Sequence, residues 1–259
     1  MKTNTRHPSR SGPVLGLTIL ALLSGQANAA LTHHWAFDEG SGAIAGDSAG
    51  ANDGAINGAT WSSDGVRSSF LNFGGTDNNV DPNLTLAAQT NSSSFTWASW
   101  VNVGAGNGNH VILGNRQNGE GADYAPRQFI KFTVLQFEWH QNGNGNDNVN
   151  YDDLTSNGWQ HLAVVKNGTS IETYLDGVST GTGTLSESLD SAVPMRFFMG
   201  GEPGQGAGEH FTGGLDDVRI YDNALSGGEI AALAAGVPEP SSFLLAALGL
   251  GAGCLRRKR

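Results

Sequence analysis

Short strand-forming segments alternate with glycine- and asparagine-rich turns along the body of this chain. The clearest segments are FTWASWVNV (95–103), FIKFTVLQFEWH (129–140) and WQHLAVVK (159–166). Clusters of Gly, Asn, Asp and Ser lie between them, for example at 104–109 and 141–148. Short strands at regular spacing with turn signals between them are typical of a β-sandwich or a β-barrel. The sequence therefore predicts an all-β domain.

Two strand segments carry further detail. In FTWASWV (95–101) both alternating sets of side chains include bulky apolar groups, which predicts a strand buried on both faces. The segment 171–175 runs into Asp176-Gly177, where the glycine supplies the positive φ of a hairpin turn. We therefore expect antiparallel strands joined by tight turns.

One helix is predicted at the end of the body. Ser226 and Glu229 have the spacing of a capping box, and the apolar residues that follow continue the helix until Gly236 and Pro238 end it. We interpret this short helix as a lid on the edge of the sandwich.

Both ends of the chain have the composition of targeting segments. Residues 1–29 combine a basic leader, an apolar stretch and a small-x-small site at Ala27-Asn28-Ala29, as a secretory signal peptide does. Residues 237–259 begin with VPEP, continue as an uncharged apolar run and end in RRKR. As a helix this run comes close to spanning a bilayer, with its cations on the cytoplasmic side. We therefore predict a C-terminal apolar helix that anchors the chain in the inner membrane.

The body between these segments is strongly acidic. Residues 30–236 contain seven basic and 23 acidic side chains, a net charge of −16. This charge argues against binding to nucleic acid and suits calcium or cationic partners. The single cysteine, Cys254, lies in the C-terminal segment, so the body has no disulfide and depends on packing.

Several motifs resemble those of the LamG-like, concanavalin A-like jelly-roll domains. They are HHWAFDEGSGAIAGDSAGANDGAINGATW, LNFGGTDNNVDP, SFTWASWVN, GWQHLAVVKNGTSIETYLDGV and FTGGLDDVRIYDNALSGGEI. They follow in the family's order, and the resemblance implies a two-sheet antiparallel jelly-roll sandwich over residues 31–235. The terminal VPEP, apolar run and RRKR resemble the PEP-CTERM sorting signal of Gram-negative bacteria. That resemblance implies processing by an exosortase-type protease, so the membrane anchoring is expected to be transient.

We predict that the domain is not an enzyme. Jelly-roll glucanases carry their carboxylates as Glu-x-Asp on one strand, and no Glu-x-Asp occurs here. The nearest approaches are Asp152-Asp153 and the pair Glu187 and Asp190, which have the wrong spacing. We also predict neither a nucleophile elbow nor a zinc motif in this domain. A hydrolase that acts on polysaccharide stays an alternative.

Calcium is the predicted cofactor. In related glucanases an Asp of the last strand helps to hold a structural calcium, and the resemblance assigns that place to Asp216 in Asp216-Asp217-Val218-Arg219. In such a jelly roll the N-terminal segment lies beside this strand, so Asp38 and Asp47 are further candidate ligands. The alternative is that Asp38 and Asp47 are ordinary turn residues that accept bonds from the backbone.

A glycan site is predicted at the polar loop that follows Trp139. Its candidate residues are Trp139, Asn144, Asp147 and Tyr151, because sugar sites combine aromatic faces with amide and carboxylate groups. The alternative is a hydrophilic hairpin in which Trp139 belongs to the core. The other strand tryptophans are predicted to be core residues (Trp61, Trp97, Trp100, Trp159), and His161 is predicted to be packed and hydrogen-bonded.

These features together predict an exported, non-catalytic module of the cell surface or extracellular matrix. We expect it to bind a glycan, such as the extracellular polysaccharide, or a surface protein. A structural matrix protein without a specific ligand is the second hypothesis, and a polysaccharide hydrolase is the third.

Overall fold

The computed structural model describes residues 30–86, 92–105, 110–117, 129–141, 145–151, 154, 158–189, 195–201 and 209–236. The predicted signal peptide and the C-terminal apolar helix lie outside these residues. Within the part of the chain that is described, no helix has the length and apolar character needed to span a membrane.

The described chain consists almost entirely of strands. In chain order the strands are β1 (Leu31–Trp35), β2 (Ile44–Ala45), β3 (Gly54–Asn57), β4 (Thr60–Ser62), β5 (Phe70–Gly74), β6 (Asn79–Leu86), β7 (Ser94–Val103), β8 (Val111–Gln117), β9 (Phe129–Thr133), β10 (Gln136–Gln141), β11 (Gly145–Asn150), β12 (Trp159–Asn167), β13 (Ser170–Leu175), β14 (Val178–Thr184), β15 (Met195–Met199) and β16 (Thr212–Tyr221). The helix α1 (Gly227–Ala234) follows β16.

The strands form two eight-stranded antiparallel sheets. The first sheet has the order β14-β13-β12-β7-β16-β5-β4, and β1 pairs with the same edge of β16 beyond β5. The second sheet has the order β11-β10-β9-β8-β15-β6-β3-β2. The all-β prediction is confirmed, and the two sheets are consistent with a jelly-roll sandwich.

Strand β7 lies near the centre of the first sheet and shows why the sheets stack. Its inward residue Trp97 is 1% exposed, and its ring centroid lies 5.3 Å from that of Phe132 and 5.2 Å from that of Phe197. Both phenylalanines belong to the second sheet, so these aromatic contacts join the two layers. The outward residues Thr96 and Ala98 are also buried, which confirms the prediction of a strand buried on both faces.

The sandwich closes along one side where the two sheets meet. Strand β14 of the first sheet lies beside β11 of the second, and a Cβ atom added at Gly181 would stand 2.2 Å from the carbonyl oxygen of Asn150. Only glycine allows so close an approach of the two backbones. The predicted hairpin between β13 and β14 is confirmed, with φ of 49° at Asp176 and 81° at Gly177.

Helix α1 begins at the predicted capping box. The Ser226 side chain accepts from the Glu229 N–H, and the Glu229 carboxylate accepts from the Ser226 N–H at 2.7 Å. The prediction of a lid on the sandwich edge is corrected, because α1 lies on the outer face of the first sheet. Its buried residues Ile230 and Leu233 pack in one cluster with side chains of β7, β12 and β13 (Ala98, Ala163, Val165, Tyr174).

Candidate functional site on the outer face of the second sheet

Strands β9 and β10 alternate between apolar and polar residues. Ile130, Phe132, Phe137 and Trp139 point inward and belong to the core between the sheets. Because successive side chains of a strand point to opposite faces, the intervening residues point outward. We define the polar face by outward residues of β8–β11: Arg116, Phe129, Lys131, Gln136, Glu138, His140, Asn148 and Asn150.

Aromatic and charged groups of the polar face contact one another across the strands. The rings of Phe129 and His140 are stacked, with centroids 4.6 Å apart and ring planes 6° from parallel. The ammonium nitrogen of Lys131 lies 4.5 Å from the centroid of Phe129, within the range of a cation–π contact. Lys131 also forms an ion pair with Glu209.

Charged groups of the polar face are deeply buried. Arg116 and Lys131 are each 2% exposed, and Glu138 is 7% exposed and accepts from the Gln136 amide at 2.8 Å. Burial also lowers the pKa of the neighbouring His110, an effect that the Glu209 carboxylate partly opposes. Buried charges cost free energy even when they are paired, so their concentration on one face marks this region as a candidate site.

The accessible side of the polar face lies along β10 and β11. Gln136 and His140 are half-buried, whereas Asn148 and Asn150 of β11 are exposed. Asn148 is the register partner of Glu138, and Asn150 is the register partner of Gln136. Amide and imidazole groups thus form an accessible array of donors and acceptors, which suits hydroxyl-rich ligands.

The glycan residues predicted from sequence lie on the same hairpin but mostly point elsewhere. Trp139 is fully buried, and its Nε1–H donates to the Glu187 carbonyl at 3.0 Å. Tyr151 is 6% exposed, and its hydroxyl donates to the Thr133 carbonyl. The ligand-binding role predicted for these two residues is therefore corrected, since neither ring can stack on a sugar. Asp147 accepts from the Ser186 N–H at 2.8 Å, and Asn144 lies outside the described residues.

The residues of the polar face were missed, although the sequence contained a signal for them. In FIKFT (129–133) and QFEWH (136–140), polar and apolar residues alternate with a period of two. That pattern predicts one apolar and one polar face. The local richness in asparagine beside a tryptophan pointed instead to Trp139 and Tyr151, whose side chains are buried.

The predicted metal ligand Asp216 is paired with an arginine. It is 4% exposed, and its Oδ2 accepts from Arg67 Nη1 at 3.1 Å. The pKa of Asp216 is raised to about 7, mainly by burial and further by the charges of Asp217 and Asp38, while Arg67 opposes the rise. Asp38 itself is exposed. The Asp216 carboxyl is therefore shielded from water, and Arg67 compensates its charge only in part.

Asp47 is a turn residue that accepts hydrogen bonds from the backbone, which is the alternative that the sequence left open. Its carboxylate accepts from the His33 ring at 2.7 Å and from the backbone N–H groups of His34, Ala49, Gly50 and Asn52. Burial raises the pKa of Asp47, but these hydrogen bonds outweigh burial and lower it. No group of three or more His, Cys, Asp or Glu side chains that could hold a metal occurs among the residues with described positions. Calcium at Asp38, Asp47 and Asp216 stays a prediction.

The tryptophans expected in the core divide into two groups. Trp97 is buried between the sheets, but Trp100 and Trp159 are half-buried on the outer face of the first sheet. The guanidinium carbon of Arg67 lies 4.1 Å from the Trp100 ring centroid and 5.6 Å from that of Trp159. Arg67, a loop residue, therefore covers the aromatic surface that these two tryptophans form.

His161 packs beside this group, as predicted. Its ring lies edge-on to that of Trp100, with centroids 5.4 Å apart. The predicted hydrogen bond is made by the backbone, because the His161 N–H donates to Asp176 while Nδ1 has no partner among the described residues. Burial lowers the pKa of His161 to about 4, so the ring is neutral at pH 7.

Several solved structures share this fold. Domain 4 of AbnA, a GH43 extracellular arabinanase from Geobacillus stearothermophilus in complex with arabinotriose, superposes with a TM-score of 0.60 at 17% identity, over 80% of this chain and 98% of that chain. Trypanosoma rangeli sialidase in complex with 2,3-difluorosialic acid gives 0.56 at 16% identity, over 79% and 33%. The binding domain of Paraclostridial Mosquitocidal Protein 1 gives 0.54 at 15% identity, over 79% and 51%. This chain thus spans about a third of the sialidase and about half of the mosquitocidal binding domain.

Sequence comparison confirms both resemblances drawn from the motifs. No curated protein matches the chain. Residues 73–231 match the concanavalin A-like lectin/glucanases superfamily, and residues 236–259 match the PEP-CTERM protein-sorting motif, which implies export and processing by an exosortase. The chain therefore belongs to the concanavalin A-like lectin/glucanases superfamily and ends in a PEP-CTERM protein-sorting motif.

Proposed function

We propose that this protein is an exported glycan-binding module of the cell surface or extracellular matrix, and that the polar face is its binding site. The observation that carries the proposal is the accessible outward array of Gln136, His140, Asn148 and Asn150 along β10 and β11. Amide and imidazole groups of this kind bind sugar hydroxyls through hydrogen bonds.

The comparisons support this proposal. Domain 4 of AbnA was solved with arabinotriose, and its fold extends over four-fifths of the present chain. The sorting motif supports delivery to the outside of a Gram-negative cell, where extracellular polysaccharide is the abundant ligand. A non-catalytic role for the polar face fits the pairing of Lys131 with Glu209 within the protein.

Binding can be tested with the purified full-length chain on a glycan array, followed by calorimetric titration with arabinotriose and the host exopolysaccharide. We expect His140→Ala and Asn148→Ala each to weaken binding by about tenfold, since a lost hydrogen bond or stacking contact is worth about 1–1.5 kcal/mol. Thr182→Ala, which removes an exposed hydroxyl from β14 of the first sheet, should leave affinity unchanged.

Two outcomes would contradict the proposal. One is that no glycan binds to the wild-type chain, which would favour a structural matrix protein without a specific ligand. The other is that Thr182→Ala weakens binding as much as His140→Ala does, which would place the site on the first sheet. Release of reducing sugar from the exopolysaccharide would instead favour the hydrolase hypothesis.

A further inference from the structure

Three side chains from separate segments form a hydrogen-bonded series away from the polar face. Ser48 Oγ lies 3.0 Å from His34 Nδ1, and His34 Nε2 lies 2.6 Å from Asp217 Oδ1. Ser48 is exposed, whereas His34 and Asp217 are half-buried. A hydroxyl, an imidazole and a carboxylate in this order are the components of an activated serine nucleophile.

The fold of the first sheet brings these residues together. His34 of β1 pairs with Arg219 of β16. Asp217 lies in the bulge of β16, at a φ of 52°, and accepts from Arg219 Nε at 3.0 Å. The Ser48 N–H donates to the His34 carbonyl at 2.9 Å, which fixes the segment that carries the hydroxyl beside the ring.

The hydrogen bonds define the tautomer of His34. The Asp217 carboxylate can only accept, so it selects the tautomer with hydrogen on Nε2. Nδ1 then holds a lone pair and can accept the proton of the Ser48 hydroxyl. That hydroxyl also lies 3.1 Å from the His34 carbonyl oxygen, so its single proton is shared between two acceptors on one residue. The two ring nitrogens have exchanged the roles they take in chymotrypsin-like triads, but the chemistry is the same.

The sequence around Ser48 contains a motif of nucleophilic serines. Gly46-Asp47-Ser48-Ala49-Gly50 has the Gly-x-Ser-x-Gly spacing of a nucleophile elbow. The prediction that such a motif is lacking is therefore wrong. The motif alone is weak in a chain with 38 glycines. Here it contains the single bridge between Asp47 and Trp35 and does not join a strand to a helix. The contacts of His34 and Asp217 are an independent observation.

We propose that Ser48 is a nucleophile for acyl transfer from esters, with His34 as its general base and Asp217 as the residue that positions His34. Ser48 Oγ attacks the acyl carbon while its proton passes to His34 Nδ1. The C–O bond to the leaving alcohol then breaks, and the alcohol takes the proton from His34. A water molecule attacks the acyl-serine with His34 again as base, which releases the carboxylic acid and restores Ser48.

The surroundings of Ser48 define the class of ester. Asp47 adjoins Ser48 in the chain and Asp217 lies beyond the His34 ring, so both acids are near the hydroxyl. An anionic acyl group would be repelled, and a neutral group such as acetyl is favoured. The N–H of Ala49, next to Ser48, is a candidate oxyanion donor, although it already donates to Asp47 Oδ1 over a long 3.3 Å. Each preorganised oxyanion donor contributes on the order of 10²–10³ in rate, so turnover with a single weak donor is expected to be slow.

The experiment uses a fluorophosphonate probe and p-nitrophenyl acetate on the full-length chain, with peptide mass spectrometry to locate the adduct. We expect the probe on Ser48 and slow release of p-nitrophenol, both absent from Ser48→Ala. His34→Gln and Asp217→Asn should slow labelling of Ser48 by on the order of 10²–10⁴. Asn tolerates the positive φ of position 217, so that variant keeps the local backbone. The exposed Ser63, which has no histidine partner in the described structure, is the internal reference, and Ser63→Ala is the matched control.

The thermal unfolding temperature of every variant shows whether it is folded. Labelling of Ser48 no faster than that of Ser63 in the folded wild-type chain would overturn the proposal. So would labelling of Ser48 at the same rate in wild type and in a folded His34→Gln or Asp217→Asn variant, because the contacts would then be structural only. Loss of esterolysis together with retained glycan binding would leave the function proposed for the polar face untouched.

Discussion

The outer faces of the two sheets are occupied in different ways. On the first sheet, the chain covers its own surface: Ile230 and Leu233 of α1 pack over small and aromatic strand residues, and Arg67 covers Trp100. On the second sheet, the strands carry charged and polar side chains outward, from Lys131 and Glu138 to the exposed Asn148. The comparison teaches that two similar antiparallel sheets can differ in their outer faces: one is covered by apolar packing, and the other carries charged and polar groups of which only a part stays accessible.

The first test removes part of the apolar cover from the outer face of the first sheet. Ile230→Ala should lower the free energy of unfolding by about 2–5 kcal/mol, because Ile230 is fully buried under α1 and its loss leaves a cavity. Urea denaturation measures the change. The matched control is Ile44→Ala, where the side chain is 52% exposed and the same truncation should cost under about 1 kcal/mol. Equal losses at the two positions would show that α1 contributes little to stability.

The second test concerns the charge buried beneath Arg67. The pKa of Asp216 is about 7 in the folded chain against 3.8 for an ordinary Asp, so between these values the folded state binds more protons than the unfolded state. Stability should therefore fall as pH rises from about 4 to 7, by at most about 1.4 kcal/mol per pH unit for one proton. Melting temperatures at several pH values measure this slope.

Asp216→Asn should flatten the slope, since the amide does not titrate. The control is Asp64→Asn, because the pKa of Asp64 is lowered by the N–H of Arg67 and the Nε1–H of Trp159, so that carboxyl stays ionised across this window. If wild type and Asp216→Asn lose stability in parallel, another group carries the pH dependence.

The smallest expected effect is that of added calcium, which tests whether the acidic side chains bind a metal. Calcium added to the full-length chain should change the melting temperature very little, because Asp47 is saturated by protein donors and Asp216 is paired with Arg67. A bound ion at a hundred times its Kd would stabilise the fold by about 2.7 kcal/mol. A rise in melting temperature that corresponds to a stabilisation of this size would support the calcium prediction, provided that a chelator reverses it and that Asp47→Asn lacks it.

Much of the fold could be predicted because its signals are local. The strand of Phe95–Val103, the Asp176-Gly177 hairpin and the Ser226–Glu229 capping box all depend on residues close together in the chain, and the structure confirms each of them. Backbone conformation at a turn or a helix start is dictated mainly by the residues that occupy it. The position of α1 could not be predicted in this way, because it depends on which sheet face offers apolar side chains.

The candidate site was harder to predict, since it depends on which way side chains point. Trp139 and His140 are neighbours in sequence, but one lies in the core and the other on the polar face. A shift of one residue in a strand exchanges the two faces, so composition alone could not distinguish them. Trp100 was assigned to the core for the same reason. Its ring lies on the outer face of the first sheet and is covered by Arg67, which belongs to a loop distant in the chain.

By itself, the sequence determined an acidic all-β domain with tight turns, one capped helix and a C-terminal sorting motif, because each of these follows from local conformational preference, composition or a contiguous motif. The tertiary structure alone decided which charges meet. Asp216 pairs with Arg67, Lys131 with Glu209, and Asp217 with His34 and thereby Ser48. These partners lie far apart in the chain, and only the pairing of strands within the two sheets brings them within hydrogen-bonding distance.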